Sequence, residues 1–202
     1  MKLPRGFYDR PTLDVARDLI GKMLVHERRG VRTSGVIVEA EAYIGESDPA
    51  CHAAPGPTRR NEPLYGPPGY SYVYLNYGIH CLVNVVTEAR GTPAAVLIRA
   101  LDPLEGIDAM RRRRARAAKG RTTPARAVSD HEICRGPGNL TMAMGITLAE
   151  NRLDLLGERL FVEEAGARVG RLAWSPRIGI RAGVDRPWRV YLAGHEAVSS
   201  RQ

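Results

Sequence analysis

Between Glu41 and Tyr77 the chain sets a carboxylate, an imidazole and a group of phenol rings: Glu41 and Tyr43, then His52, then Tyr72, Tyr74 and Tyr77. A carboxylate can take a proton from water, and aromatic faces stack on flat rings. With a formal net charge of +8, the flat ring that best suits such a chain is a nucleobase. Glu39 adds a second carboxylate two residues before Glu41. Like charges a few ångströms apart resist joint ionisation, so one of the two is expected to have a raised pKa.

These groups need elements to hold them. The β-rich run Gly35 to Ile44 predicts a strand, and its period of two puts Glu39, Glu41 and Tyr43 on one face. Gly45 to Gly69 holds six prolines and four glycines and predicts a long loop that carries His52. Tyr70 to Tyr74 returns to strand character with Tyr72 and Tyr74 on one face, and Asn76-Tyr77-Gly78 predicts a turn from which the Tyr77 ring protrudes. A ring in that position can wedge into a base stack. Strands are predicted over Cys81 to Thr87 and Ala94 to Leu101; Asn84 and Arg99 are the polar residues inside these apolar runs and require a partner or a ligand.

The remaining elements are peripheral. Leu13, Ala16, Leu19 and Ile20 have helical spacing before Gly21. Asp102-Pro103-x-Glu105 has the form of a helix start, leading into the cluster Arg111, Arg112, Arg113, Arg114, Arg116, Lys119 and Arg121. That cluster supplies seven of the positive charges and reads either as a solvated edge or as a grip on phosphates. Pro137 opens a short helix that Gly145 ends, and short strands are predicted over 159–164, 177–181 and 188–193.

At 202 residues, 44% hydrophobic, with a mean hydropathy of −0.28, the chain fits one domain that buries roughly 70% of its unfolded surface. No run of eighteen apolar residues and no charged-then-apolar leader is visible, so no membrane association is expected and the cytosol is the default compartment. Cys51, Cys81 and Cys134 are odd in number and widely spaced, which fits reduced thiols. Cys51-His52 and His80-Cys81 lack metal-ligand spacing, because adjacent residues rarely chelate one ion together. Three functions remain open on these residues alone: an enzyme acting on nucleobases, a silent nucleic-acid binder that uses the same tyrosines, and a small-molecule hydrolase with an incidental basic face.

Longer blocks separate them. Glu39-Ala40-Glu41-Ala42-Tyr43-Ile44-Gly45, then Asp48-x-x-x-His52 and Thr58-x-Arg60-Asn61, resemble the signature of the alkyladenine (3-methyladenine) DNA glycosylase family. Tyr72 to Gly78, Asn84, Val96 to Pro103 and Arg135 to Leu140 follow in the family's order, so the resemblance spans about residues 4 to 194. It implies a single α+β domain over 1–202, with a curved, mainly antiparallel sheet and peripheral helices. It also implies a hydrolase of N-glycosyl bonds of the DNA-3-methyladenine glycosylase II type, acting in base excision repair.

By the same resemblance, Glu41 is the base that activates water and Arg99 helps position that water. Tyr43, His52 and Tyr74 hold the flipped base, Asn84 narrows the pocket floor, and Tyr77 intercalates into the duplex; Glu39 receives no role. The implied partner is double-stranded DNA containing damaged purines: 3-methyladenine, 7-methylguanine, hypoxanthine and ethenoadenine. The enzyme is expected to be a monofunctional monomer with no metal or organic cofactor, cytoplasmic and nucleoid-associated when bound. Ala53 after the histidine and Asn76 before the intercalating tyrosine depart from the residues common in the family.

Overall fold

The computed structural model describes residues 1–118, 128–166 and 169–199. Its centre is the 14-residue strand β2 (Val31–Ile44), which follows β1 (Met23–Arg28) through a tight hairpin at Arg29-Gly30. Along one edge β2 pairs with β5 (Ala94–Glu105), and β5 leads outward to β4 (His80–Val86) and β3 (Ser71–Asn76). Along its other edge β2 has two partners in succession: β1 on its first half, then β8 (Arg189–Leu192) at Glu39–Glu41. β6 (Leu160–Glu163) extends the sheet beyond β1, and β7 (Leu172–Ser175) extends it beyond β8. All of these pairings are antiparallel, as expected for this fold class.

Directly opposed residues in antiparallel strands share a face, so the register sorts the side chains. One face presents Val73, Val83, Val85, Val96, Ile98, Ala40 and Ala42 to the main core. There they meet Val15, Ala16 and Leu19 of α2 (Thr12–Leu19) and Leu140, Ala143 and Met144 of α5 (Pro137–Met144). Burial of each large aliphatic chain in this layer contributes roughly 1.5–3 kcal/mol. The other face carries a row, Tyr72–Asn84–Leu97–Glu41–Arg189, that crosses five strands in register. The 45–69 segment folds over this second face, where Cys51, Ala53 and Leu64 pack on Tyr72, Val86 and Ala95.

Several expectations need correction. Asp102-Pro103-x-Glu105 starts no helix: β5 continues to Glu105, because Gly35 opposite Pro103 has no Cβ to strike the Asp102 carbonyl, which would lie 2.8 Å from it. The helix α3 (Ile107–Ala118) begins only after Gly106, whose φ of 71° breaks the strand. Residues 177–181 form a loop, and the strand of that region lies earlier, at β7. Strand β1 and the short helices α1 (Arg5–Tyr8) and α4 (Asp130–Ile133) went unanticipated.

The arginine run divides within α3. Arg113 donates to the Ala143 carbonyl at 2.9 Å, Arg114 bonds Asn139 and Arg111 pairs with Asp130, while Arg112 and Arg116 are exposed. Lys119 and Arg121 lie outside the described residues.

Candidate active site

A cavity of about 600 Å³ opens on the second sheet face, a size in the range that holds small ligands. Tyr43, His52, Tyr74, Tyr77, Asn84 and Arg99 all line it, with the 178–182 segment opposite. Glu41 is the exception among the anticipated residues. It is fully buried and does not line the cavity; its carboxylate stands behind Tyr43, Arg99 and Ile178.

Three donors hold that carboxylate. Arg99 Nη1 and the Tyr43 hydroxyl donate to Oε2 at 3.1 and 2.9 Å, and the Ile178 amide donates to Oε1 at 2.7 Å. A carboxylate has about four acceptor positions, so among the described residues one is left without a donor, on Oε1. Arg99 reaches Glu41 from a fault in the β2–β5 ladder. Regular pairing would set Arg99 opposite Glu39, but Glu39 pairs with Ala100, and the irregularity turns the guanidinium between the two acids. Burial disfavours its charge, but the Glu41 and Glu39 carboxylates outweigh burial and hold its pKa above the ordinary arginine value.

Glu39 corrects the expectation of a raised carboxylate in a like-charge pair. Its burial favours the neutral acid, yet Arg99 and Arg189, with hydrogen bonds from Ser199, outweigh burial and lower its pKa. The two acids are separated electrostatically by Arg99, which was anticipated, and Glu39 is further held by Arg189, which was not.

The long loop is braced at two points. Asp48, fully buried, forms a bidentate pair with Arg177 at 2.6 and 2.7 Å and accepts the amides of Ile44 and Ala50. Asn61 donates to the carbonyls of His52 and Gly56 at 2.7 and 2.9 Å, which fixes the backbone on either side of the Ala53-Ala54-Pro55 corner. His52 is thereby set with Nδ1 2.8 Å from the Tyr72 hydroxyl and its ring edge-on to Tyr74, centroids 4.4 Å apart. Burial, reinforced by the Arg60 charge, lowers its pKa, so the imidazole is neutral near pH 7. Tyr72, read from sequence as a stacking surface, is buried and serves as the His52 anchor. Asn84 is likewise buried and donates to the Tyr72 carbonyl at 3.0 Å.

Two of the rings already have a cation beside them. The Arg177 guanidinium lies 4.6 Å from the Tyr43 centroid, and that of Arg60 lies 5.7 Å from the Tyr74 centroid. At the cavity rim, Tyr77 is 85% exposed at the tip of the β3–β4 hairpin. Its φ of 48°, followed by 70° at Gly78, gives the turn that Ile79 N–H closes on the Asn76 carbonyl at 3.0 Å. A bulky residue in that left-handed region is an outlier, and such strain concentrates at functional positions.

Among the described residues no group of three or more His, Cys, Asp or Glu side chains is arranged to hold a metal ion, and no helix is long and apolar enough to cross a membrane. Arg177, Arg189 and Ser199 are the site components that sequence reasoning missed; Asp48 and Asn61 appeared in the motifs but without a task.

A family model described as methylpurine-DNA glycosylase matches residues 6–196. A protein of Methanocella arvoryzae named "Putative 3-methyladenine DNA glycosylase" is 49% identical over 98% of this chain and 96% of its own length. Proteins of the same name from Alkaliphilus oremlandii and Chlorobaculum tepidum are 42% and 44% identical over all of this chain, covering 100% and 92% of their own lengths. With nearly its whole length matched by that family model and by such relatives, the chain belongs to the methylpurine-DNA glycosylase family.

Proposed function

We propose that the protein is a monofunctional DNA glycosylase that flips alkylated or deaminated purines out of duplex DNA and hydrolyses the N-glycosidic bond, leaving an abasic site. The observation that carries this is the buried Glu41–Arg99 pair set directly behind an aromatic cavity. A carboxylate with one free acceptor position, beside a guanidinium, suits a water that must lose a proton as it attacks. The flipped base stacks on Tyr43 and Tyr74, each such contact worth about 1–3 kcal/mol, and His52 meets it from the loop. Asn84 limits the floor, and Tyr77 fills the gap in the duplex, offsetting the few kcal/mol of unstacking.

In the chemical step the water oxygen bonds to the sugar C1′ as the bond to the base breaks. The bond's electron pair goes to the base nitrogen, and the water proton goes to Glu41. A purine made cationic by alkylation, such as 3-methyladenine or 7-methylguanine, leaves as a neutral molecule. Hypoxanthine and ethenoadenine leave less readily and require a proton. The chain has three lysines, Lys2, Lys22 and Lys119. Lys2 bonds the Gly157 carbonyl, Lys22 bonds Glu164, and neither lines the cavity; Lys119 lies outside the described residues. A Schiff-base lyase step therefore has no lysine at the cavity among the described residues.

The test is incubation with duplex oligonucleotides carrying each lesion, followed by alkaline cleavage of abasic sites. Strand breaks at methylated purines are expected with the native protein, and Glu41→Gln is expected to abolish them while lesion DNA remains bound. Intact strands for every lesion, or a Glu41→Gln variant that still releases base, would sink the proposal.

A further inference from the structure

Glu39 has no task in that mechanism, yet it is heavily bonded. Its Oε1 accepts Nε–H from both Arg99 at 3.0 Å and Arg189 at 2.6 Å. Ser199, beyond β8, donates its amide to Oε2 at 2.8 Å, and its hydroxyl lies 2.7 Å from both oxygens. Arg189 closes the circuit by donating to the Ser199 carbonyl and to Ser175 Oγ, each at 2.9 Å. Charges therefore alternate in a buried row: Glu41, Arg99, Glu39, Arg189.

A guanidinium is rigid and planar, so two bonds on different nitrogens fix both its plane and its rotation. Glu39 takes Nε and Glu41 takes Nη1. The third nitrogen, Nη2, has no protein acceptor among the described residues, and Arg99 lines the cavity. Glu39 holds Arg99 through one hydrogen bond, at Nε, and so leaves the two terminal nitrogens for Glu41 and the cavity.

We propose that Glu39 is a positioning residue for the hydrolytic step, clamping Arg99 so that Nη1 serves Glu41 and Nη2 faces the attacking water, with Ser199 as the clamp's fixed point. This rests on Glu41 activating that water. The charged and titratable groups around Glu41 are Arg99 from β5, Tyr43 and Glu39 from β2, Tyr74 from β3, Arg189 from β8 and Arg177 from the 176–188 loop. Without the Glu39 charge, Arg99 has Glu41 as its one remaining carboxylate, and Glu41 loses a like-charged neighbour. Both changes make the surroundings of the Glu41 carboxylate more positive.

The experiment is single-turnover base release from lesion duplex across pH, with DNA affinity and thermal unfolding measured in parallel. Glu39→Gln is expected to slow release about 10²-fold. It should also move the acidic limb of the pH–rate profile down by on the order of one pH unit, with DNA affinity unchanged. Loss of a purely structural residue would lower stability without moving that limb. Glu39→Asp keeps the charge but shortens the reach, and is expected to slow release with the limb in its native place. Ser199→Ala should slow release by a smaller factor than Glu39→Gln. A native rate or an unmoved limb in folded Glu39→Gln overturns the proposal. Should Glu39→Gln not fold, native rates in both Glu39→Asp and Ser199→Ala overturn it. Base release by Glu41→Gln would instead sink water activation by Glu41 itself, whereas an inactive Glu41→Gln beside an unaffected Glu39→Gln sinks only the clamp.

Discussion

Replacing Tyr77 with asparagine should stabilise the fold and impair the enzyme at once. Tyr77 and Gly78 are the two central residues of the hairpin turn, with φ of 48° and 70°. That pair of left-handed residues is the type I′ arrangement, for which Asn-Gly is the preferred sequence. A non-glycine residue there bears a strain of roughly 1–2 kcal/mol, which asparagine relieves in part through its short polar side chain. The ring is 85% exposed, so its removal forfeits little buried area. A net gain of about 1 kcal/mol in a chain of this size raises Tm by roughly 2–4 °C.

On DNA the sign reverses. In the proposed wedge role, stacking of the Tyr77 ring in the duplex would be worth about 1–3 kcal/mol, so its removal is expected to slow release from duplex roughly 5- to 150-fold at about 1.4 kcal/mol per factor of ten. A lesion in single-stranded DNA has no gap to fill and should be released at the native rate. The assays are a thermal melt and single-turnover excision on matched single- and double-stranded oligonucleotides. A lower Tm would refute the strain argument, and equal slowing on both substrates would refute the wedge.

Tyr43→Phe keeps the ring but removes the hydroxyl that donates to Glu41 at 2.9 Å, and is expected to slow base release at least about 10-fold, given roughly 1.5–3 kcal/mol for a charged hydrogen bond; a native single-turnover rate would mean that this bond does not serve the reaction. Arg177→Met strands the buried Asp48 carboxylate and is expected to cost roughly 3–5 kcal/mol in urea unfolding, against which a loss below about 1 kcal/mol would count. Burial lowers the pKa of both His26 and His52, so the unfolded chain binds the extra protons first. Their contribution is complete above the unfolded value near pH 6.5 and is lost as pH falls toward the folded value. Urea midpoints should accordingly fall between about pH 7 and pH 5.5, less steeply in His26→Gln, and identical slopes would contradict this.

Much of the site was legible because strand periodicity is rigid. Once Glu39, Glu41 and Tyr43 are assigned to one strand, their common face follows, and Tyr77-Gly78 between two strands announces a protruding turn. The helix start misplaced at Asp102 shows the limit. Capping residues describe a local preference, whereas the fate of 102–105 was decided by pairing with 34–36, some seventy residues away in the chain. The same holds for Arg177, Arg189 and Ser199. Each lies more than one hundred residues from the acids it holds, in segments whose local patterns say only loop or short strand. No period connects a buried cation to a distant carboxylate.

The guanidinium groups beside Tyr43 and Tyr74 bear on how lesions are told apart. A ring attracts cations through its negatively charged face, and here Arg177 and Arg60 already draw on that charge in both platforms. Each platform's pull on a second cation is correspondingly weakened, so a methylated, positively charged purine gains little over a neutral one merely by entering. Under the proposed function, discrimination would then fall to the bond-breaking event, and charged lesions are expected to be excised faster than neutral rings of similar shape because they depart more easily. On that reading the cavity would gauge flatness and width, and the sugar–base bond itself would report the damage.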